Sequence, residues 1–573
     1  MSRLLGFTKD RRWLWASGIG LALFLFIQVF PVTGGLFSSN NHPVLPRAAA
    51  ENKALELAAD KFLIKPNQVQ EVYVTHLSDS ETIGYLSKYD LLQDYDKQWS
   101  GEVPADVYRV DLHLRGDAGI LELSLQMETG DLVAWRHDSG SAPADALPEQ
   151  DQADEYASRA LSYAAFWGID AADWEWSGDI DDNGGVKFNS RKAALGEAHV
   201  WLKVSVPAEY SSTSSTFPHW AGHSVTYGTE IPQAFTAYME KQQQRAGWLS
   251  IFGFIVPQVI MFILAIVYAG TRGKHTSFLR GIFLASVFFV LYVAITINMI
   301  PGFRSQTMDA GADSGDRLNM AFLIIQIVFL AGTAIFTYFC AVAGDGLWKS
   351  MGRSLWPRWK EPGYGEAVLK SMKQGYVLAF ILLGAQSVIL LVLQQTLGAF
   401  ASSDPTQSTY NMTLPWILPL LAFCAGISEE LQSRFFGIGL FRSWFVGLAR
   451  RILGREPSPR TAIVLTTAAM LPPSILWALG HVGYAIYPFY TRIIELVIMG
   501  VLFGWFMLRF GLMAVIFAHI ILDAVLMGIQ LLFDGLPGDA WAGLFSFVMP
   551  ALVGIAIWWL YRVIHGRQAQ PAQ

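Results

Sequence analysis

LMAVIFAHIILDAVLMGIQLLF, residues 512–533, decides how this chain folds. A run of about 20 apolar residues is what a hydrocarbon layer ~30 Å thick requires, and this run contains only two ionisable side chains, His519 and Asp523. Runs of the same kind begin near residue 13, stop, and dominate from residue 247 onward. The composition agrees. Residues are 53% hydrophobic and 15% charged, against roughly 25% charged in a soluble domain. The reading is an α-helical polytopic membrane protein of about ten spans: Trp13–Val32, Gly247–Gly270, Leu279–Pro301, Asn319–Gly344, Tyr376–Gly398, Leu414–Leu440, Thr461–Gly483, Arg492–Phe510, Leu512–Phe533 and Trp541–Val563.

Charge gives the sidedness. Arg3, Lys9, Arg11 and Arg12 precede the first span, and basic residues concentrate in the loops around Arg272–Arg280, Lys349–Lys373 and Arg442–Arg460 and in the tail with Arg562 and Arg567. Ten spans place all of these on one side, which the positive-inside bias makes the cytoplasm, with both termini there. From Arg47 to Arg245 the chain instead carries 32 acidic and 16 basic residues. So acidic a region is expected outside the cytoplasm and excludes nucleic acid as a partner. The apolar stretch of the first span is longer than a signal-peptide core and has no small-residue cleavage site directly after it, so an uncleaved anchor is expected.

The expected organisation is an N-terminal anchor at 1–37, an extracytoplasmic α+β soluble domain at 38–246 inserted between spans one and two, spans two to five at 247–400, a polar-bearing core at 414–533, and the last span with its tail at 541–573. In the soluble region, Ala54, Leu55, Ala58, Ala59 and Phe62 share one helix face, and alternating strands follow at Val107–Leu114, Gly119–Met127 and Leu132–Trp135. A second helical stretch repeats Ala-Leu-x-x-Ala-Ala at Ala160, Leu161, Ala164 and Ala165, with a strand at His199–Val206. The pattern resembles two PepSY-type helix-then-meander units. Asp179–Gly184 begins like a calcium loop, but Ser190 stands where a bidentate glutamate is needed, so an Asn-Gly hairpin turn is expected. Cys340 and Cys424 lie in apolar runs and are expected to be buried thiols rather than a disulfide.

Ionisable groups at bilayer depth cost about 2.5–3.5 kcal/mol each, so a cluster of them calls for a role. Span six reads Ile427-Ser428-Glu429-Glu430-Leu431-Gln432-Ser433-Arg434, span seven ends Trp477-Ala478-Leu479-Gly480-His481, and span nine holds His519 and Asp523. Glu430 and Arg434, four apart, can pair on one helix face, leaving Glu429 to point towards the bundle interior. His519 and Asp523 are also four apart, so the carboxylate can orient the imidazole or join it around a shared water or metal. Pro472-Pro473 should break span seven, so that its crossing segment starts near Ser474 and His481 lies level with His519 in the cytoplasmic half of the bilayer.

The three motifs together resemble the CAAX-protease and bacteriocin-processing family of intramembrane proteases, which includes the type II CAAX prenyl endopeptidases: Glu-Glu-x-x-x-Arg, then Phe-x-x-x-His, then His-x-x-x-Asn or Asp. Trp477 stands where phenylalanine is usual, and Asp523 is the less common choice at its position. The resemblance covers about Leu414 to Phe533. It implies peptide-bond hydrolysis in a bacterial cell membrane, on membrane protein or peptide substrates embedded in or tethered to the bilayer. Catalytic roles fall to Glu429, His481, His519 and Asp523, with Glu430, Arg434 and Trp477 in support. His481, His519 and Asp523 are candidate ligands for zinc, although the His-Glu-x-x-His spacing of one-helix zinc sites is missing and a metal-independent glutamate mechanism is preferred. Two other classes compete. A transporter should show a matching polar copy in spans two to five, and none is seen. A non-catalytic sensor, immunity or scaffold protein would use the same groups only to tie spans together.

Overall fold

The computed structural model describes residues 11–33, 43–116, 118–138, 152–181, 184–192, 194–206, 220–309 and 316–566. Within the acidic region eight strands form one antiparallel sheet: β1 (Val69–Ser78), β2 (Asp106–Leu114), β3 (Ile120–Gln126), β4 (Leu132–Asp138), β5 (Trp174–Ile180), β6 (Gly185–Ser190), β7 (His199–Ser205) and β8 (Ser224–Glu230). Their order is β1-β2-β3-β4-β8-β7-β6-β5. Two four-stranded meanders thus meet last strand to last strand, through Trp135 opposite Val225 and Arg136 opposite Ser224. Each meander follows a helix, Arg47–Phe62 or Ala153–Phe166.

Strand alternation builds the core: Leu121, Leu123 and Leu125 are buried while their neighbours on β3 are not. The first helix covers this face with Ala50, Ala54, Ala58 and Phe62, a stripe of strict four-residue spacing. Ala59 is exposed, contrary to the expected face, and so is Ala165 in the second helix, where Ala157, Ala160, Tyr163 and Ala164 are buried instead. β5 and β6 form a hairpin across Asp181–Gly185, but Asp182 and Asn183 at its tip lie outside the described residues.

Among the described residues, eight helices are long and apolar enough to cross a membrane, against the ten spans expected. They are Arg11–Val29, Gln233–Thr271, Met320–Ser350, Tyr364–Leu397, Pro459–Leu479, Phe489–Phe510, Leu512–Phe533 and Asp539–His565. Of the other two expected spans, one is the shorter apolar helix Ile282–Asn298. The other, Leu414–Leu440, is divided. A 3₁₀ segment at Pro415–Leu420 leads into helix Leu421–Glu429, a π-helix at Glu430–Ile438, and helix Gly439–Leu453. Pro472-Pro473 does not start the crossing segment of span seven. The helix breaks earlier, between Ala468 and Leu471, and both prolines sit in the first turn of Leu471–Leu479, where a missing N–H costs nothing. Cys340 and Cys424 are free and buried.

Sheet and bundle are fastened together. A helical run of 39 residues, Gln233–Thr271, leaves the sheet and enters the bundle. In addition, the Asn411 amide accepts from the His76 N–H of β1 at 2.8 Å and donates to the His76 and Pro405 carbonyls at 2.9 and 2.8 Å. Ser78 Oγ donates to Ser403 Oγ at 2.7 Å, and Ser80 Oγ to the Ser403 carbonyl at 3.0 Å. Asn411 is fully buried, so Asn411→Ala would leave the His76 N–H and carbonyl without this partner. The expected cost is about 2–3 kcal/mol, read as a lower melting temperature of the detergent-purified protein. Asn411→Ala melting like the parent would remove this clamp from the account.

Candidate active site

Four elements carry the polar cluster. Helix Leu421–Glu429 delivers Glu429 at its end, and the π-helix that follows delivers Glu430 and Arg434. His481 lies just beyond helix Leu471–Leu479, its backbone N–H held by the Ala478 carbonyl at 3.0 Å. Helix Leu512–Phe533 carries His519 and Asp523. Small residues allow the approach. A Cβ on Gly426 would come within 2.6 Å of Ile520 and 3.1 Å of the Ile516 carbonyl, so the two helices meet almost backbone to backbone. π-helical turns recur at functional sites because the extra residue per turn re-aims side chains and frees carbonyls. Here Trp348 Nε1 donates to the Phe435 carbonyl at 2.8 Å, and Gln432 accepts from Gln258 at 2.8 Å and donates to Thr337 at 2.9 Å.

The structure brings all seven expected residues together. Glu430 lies at the centre of one set. It accepts from His519 Nδ1 at 2.7 Å and pairs with Arg434 at 3.3 Å, all three side chains being buried. The Arg434 guanidinium stands over the Trp477 ring, 3.8 Å from its centroid, and over Phe503 at 4.9 Å. Glu429 lies in a second set with a quarter of its side chain exposed. Trp477 Nε1 donates to it, and His481 Nε2 and His519 Nε2 each stand 3.8 Å from one of its oxygens. Asp523 Oδ2 is 3.5 Å from His519 Nε2.

Three relations go beyond those expected from the sequence. The carboxylate hydrogen-bonded to His519 is Glu430, from another helix, rather than Asp523 four residues away. Trp477 is more than a substitute for phenylalanine, because its indole N–H reaches Glu429 and no phenyl ring can do that. A second pair sits beside the site, with Glu495 buried and Arg492 half-buried: Arg492 Nη1 donates to both Glu495 oxygens at 2.9 and 2.7 Å, and Gln386 donates to Glu495 at 2.7 Å. Its sequence signal was a glutamate inside the apolar run of span eight, three residues after an arginine.

The His481 ring is fixed at Nδ1, 2.8 Å from the Trp477 carbonyl. A carbonyl only accepts, so Nδ1 carries the proton and Nε2 of the neutral ring is an acceptor facing Glu429. A separation of 3.8 Å is too long for a direct hydrogen bond and suits two groups sharing a water. The donor types match those of zinc sites. Among the described residues no group of three or more His, Cys, Asp or Glu side chains is gathered as a metal ion would hold them.

Residues 411–525 match the family model described as type II CAAX prenyl endopeptidase Rce1-like. This stretch is similar to an Rce1-like domain. No curated protein and no solved structure matches the chain. The Rce1-like domain contains every residue of the cluster and supports an intramembrane peptidase, a hydrolase of peptide bonds acting on membrane-associated peptides. The sheet and the first four membrane helices lie outside it.

Within the Rce1-like domain, removing one member of the buried Glu430–Arg434 pair strands the other charge. Glu430→Ala and Arg434→Ala should each cost about 3–5 kcal/mol and lower the melting temperature in detergent. Glu430→Gln, which keeps a hydrogen-bond acceptor for His519, should fall between these and the parent. Parent-like melting of both alanine variants would contradict the pairing.

Proposed function

We propose that the chain hydrolyses peptide bonds of membrane-embedded or lipid-tethered substrates, with Glu429 as the base on water. The observation that carries this reading is the facing of Glu429 by two imidazole Nε2 atoms, each at 3.8 Å and each anchored through Nδ1. A water between them loses a proton to Glu429 as its oxygen attacks the scissile carbonyl carbon. His481 accepts the second hydrogen bond of that water and orients it. His519, with its proton at Nδ1 held by Glu430, supports the developing oxyanion from Nε2 in its doubly protonated form, with Asp523 beside it. The proton on Glu429 then passes to the leaving nitrogen as the C–N bond breaks. No step requires a metal. In this reading both termini are cytoplasmic and residues 38–246 lie outside.

Glu429→Gln preserves shape and removes the base, so the purified full chain should lose cleavage by about 10²–10⁴-fold while melting like the parent. Cleavage at the parental rate would end the assignment. Elemental analysis with chelator titration tests the metal question: activity should survive chelation, and stoichiometric zinc whose removal abolishes activity would make His481 and His519 ligands. Protease added to intact, wall-stripped cells should reach the sheet, whereas cleavage only after lysis would invert the topology.

A further inference from the structure

A cavity of about 310 Å³ lies between the cluster and the sheet, walled by the 401–412 segment, the 484–486 segment and three helical elements. Two helix faces lead from it to the site. On helix Leu512–Phe533, His519, Asp523, Met527 and Gln530 form one stripe, and the last two line the cavity. On helix Leu421–Glu429, the cavity residue Leu421 is two turns, ~12 Å, before Glu429 on the same face. Tyr484, a third lining residue, stacks on the His481 ring with centroids 5.4 Å apart.

The lining states what the cavity accepts. Its floor is apolar and includes three methionines, Met299, Met412 and Met527, whose unbranched thioethers adapt to varied shapes. Its mouth holds exposed Asp404, which caps the Thr406 N–H and has no ion-pair partner among the described residues. Resting on the peptidase reading above, we propose that this cavity is the substrate subsite of the Glu429 centre. It takes the apolar side chains of a peptide segment that carries a lysine or arginine on its sheet-facing flank, paired with Asp404. Because the 401–412 wall is the segment clamped to β1 by Ser403 and Asn411, the sheet fixes the width of the subsite.

The test uses the full chain in lipid nanodiscs as the cleavage-inert Glu429→Gln protein. The probes are fluorescent peptides with a Leu-Met-Phe-Leu core flanked by lysine or by glutamate, with binding read by anisotropy. The lysine-flanked peptide should bind about fivefold more tightly, the worth of one exposed ion pair, and Asp404→Asn should erase that preference. Met527→Trp fills the cavity and should weaken both peptides about tenfold or more, while volume-conserving Met527→Leu should not. Absence of binding, equal binding of the two peptides, a preference that survives Asp404→Asn, or unchanged binding in Met527→Trp would each overturn the proposal. Cleavage of the same peptides by the parent protein reports separately on the peptidase reading. Binding without cleavage would keep the subsite and reject the peptidase.

Discussion

Everything in the bundle is arranged around one buried carboxylate, Glu430. It has no exposed surface, yet it holds a guanidinium from its own π-helical turn and an imidazole from another helix. In a low-dielectric interior an uncompensated charge of this kind costs several kcal/mol, so the helices bearing Arg434 and His519 cannot drift apart without exposing that penalty. Arg434 is in turn pressed against Trp477 and Phe503, which fixes the helix preceding His481. One ion pair thereby sets the mutual position of three helical elements and, through them, of every atom that faces Glu429.

The sheet is bound into the same frame rather than tethered to it. Phe400, next to the clamped 401–412 segment, packs against Phe235 and Tyr487 at the foot of the sheet. Tyr487 lies six residues after His481, and Phe400 and Tyr487 face each other in a two-residue strand pair. A displacement of the sheet would therefore pull on the chain immediately following a histidine of the cluster. Long-range hydrogen bonds such as His76 to Asn411, between residues 335 apart in sequence, make that coupling stiff.

What the sequence revealed and what it hid divide along a physical line. The membrane class, the strands β2, β3, β4 and β7 and the three polar motifs follow from local periodicity and the cost of burying charge, and both are readable one segment at a time. The strands β1, β5, β6 and β8 carry weaker alternation, and their place in the sheet comes from pairing. The polar content of 414–440 hid a change of helix type, because a π-turn is a departure in backbone hydrogen bonding that no residue pattern announces. The pairing of His519 with Glu430 was missed for a related reason. Spacing along one helix favours Asp523, and only the close packing at Gly426 brings a carboxylate from the next helix nearer.

Adjacent glutamates in one helix could be equivalent, and here they are not. Glu430 is closed off, charge-paired and bonded to the Nδ1 side of His519. Glu429, one residue earlier, keeps part of its surface open and faces the Nε2 sides of two rings, each at 3.8 Å. In the proposed reading chemistry needs the second environment and stability the first, since a group that must gain and lose a proton cannot also be locked in an ion pair. The extra pair formed by Arg492 and Glu495 extends the same division, for it sits on helix Phe489–Phe510 beside the site with both its charges internally matched. The charges that hold the helices are thus paired with one another, with the Arg434 guanidinium lying on the rings of Trp477 and Phe503 rather than fully hydrogen-bonded. The polar groups facing Glu429 stay more open, and in the proposed reading their bonds are completed by water and a peptide.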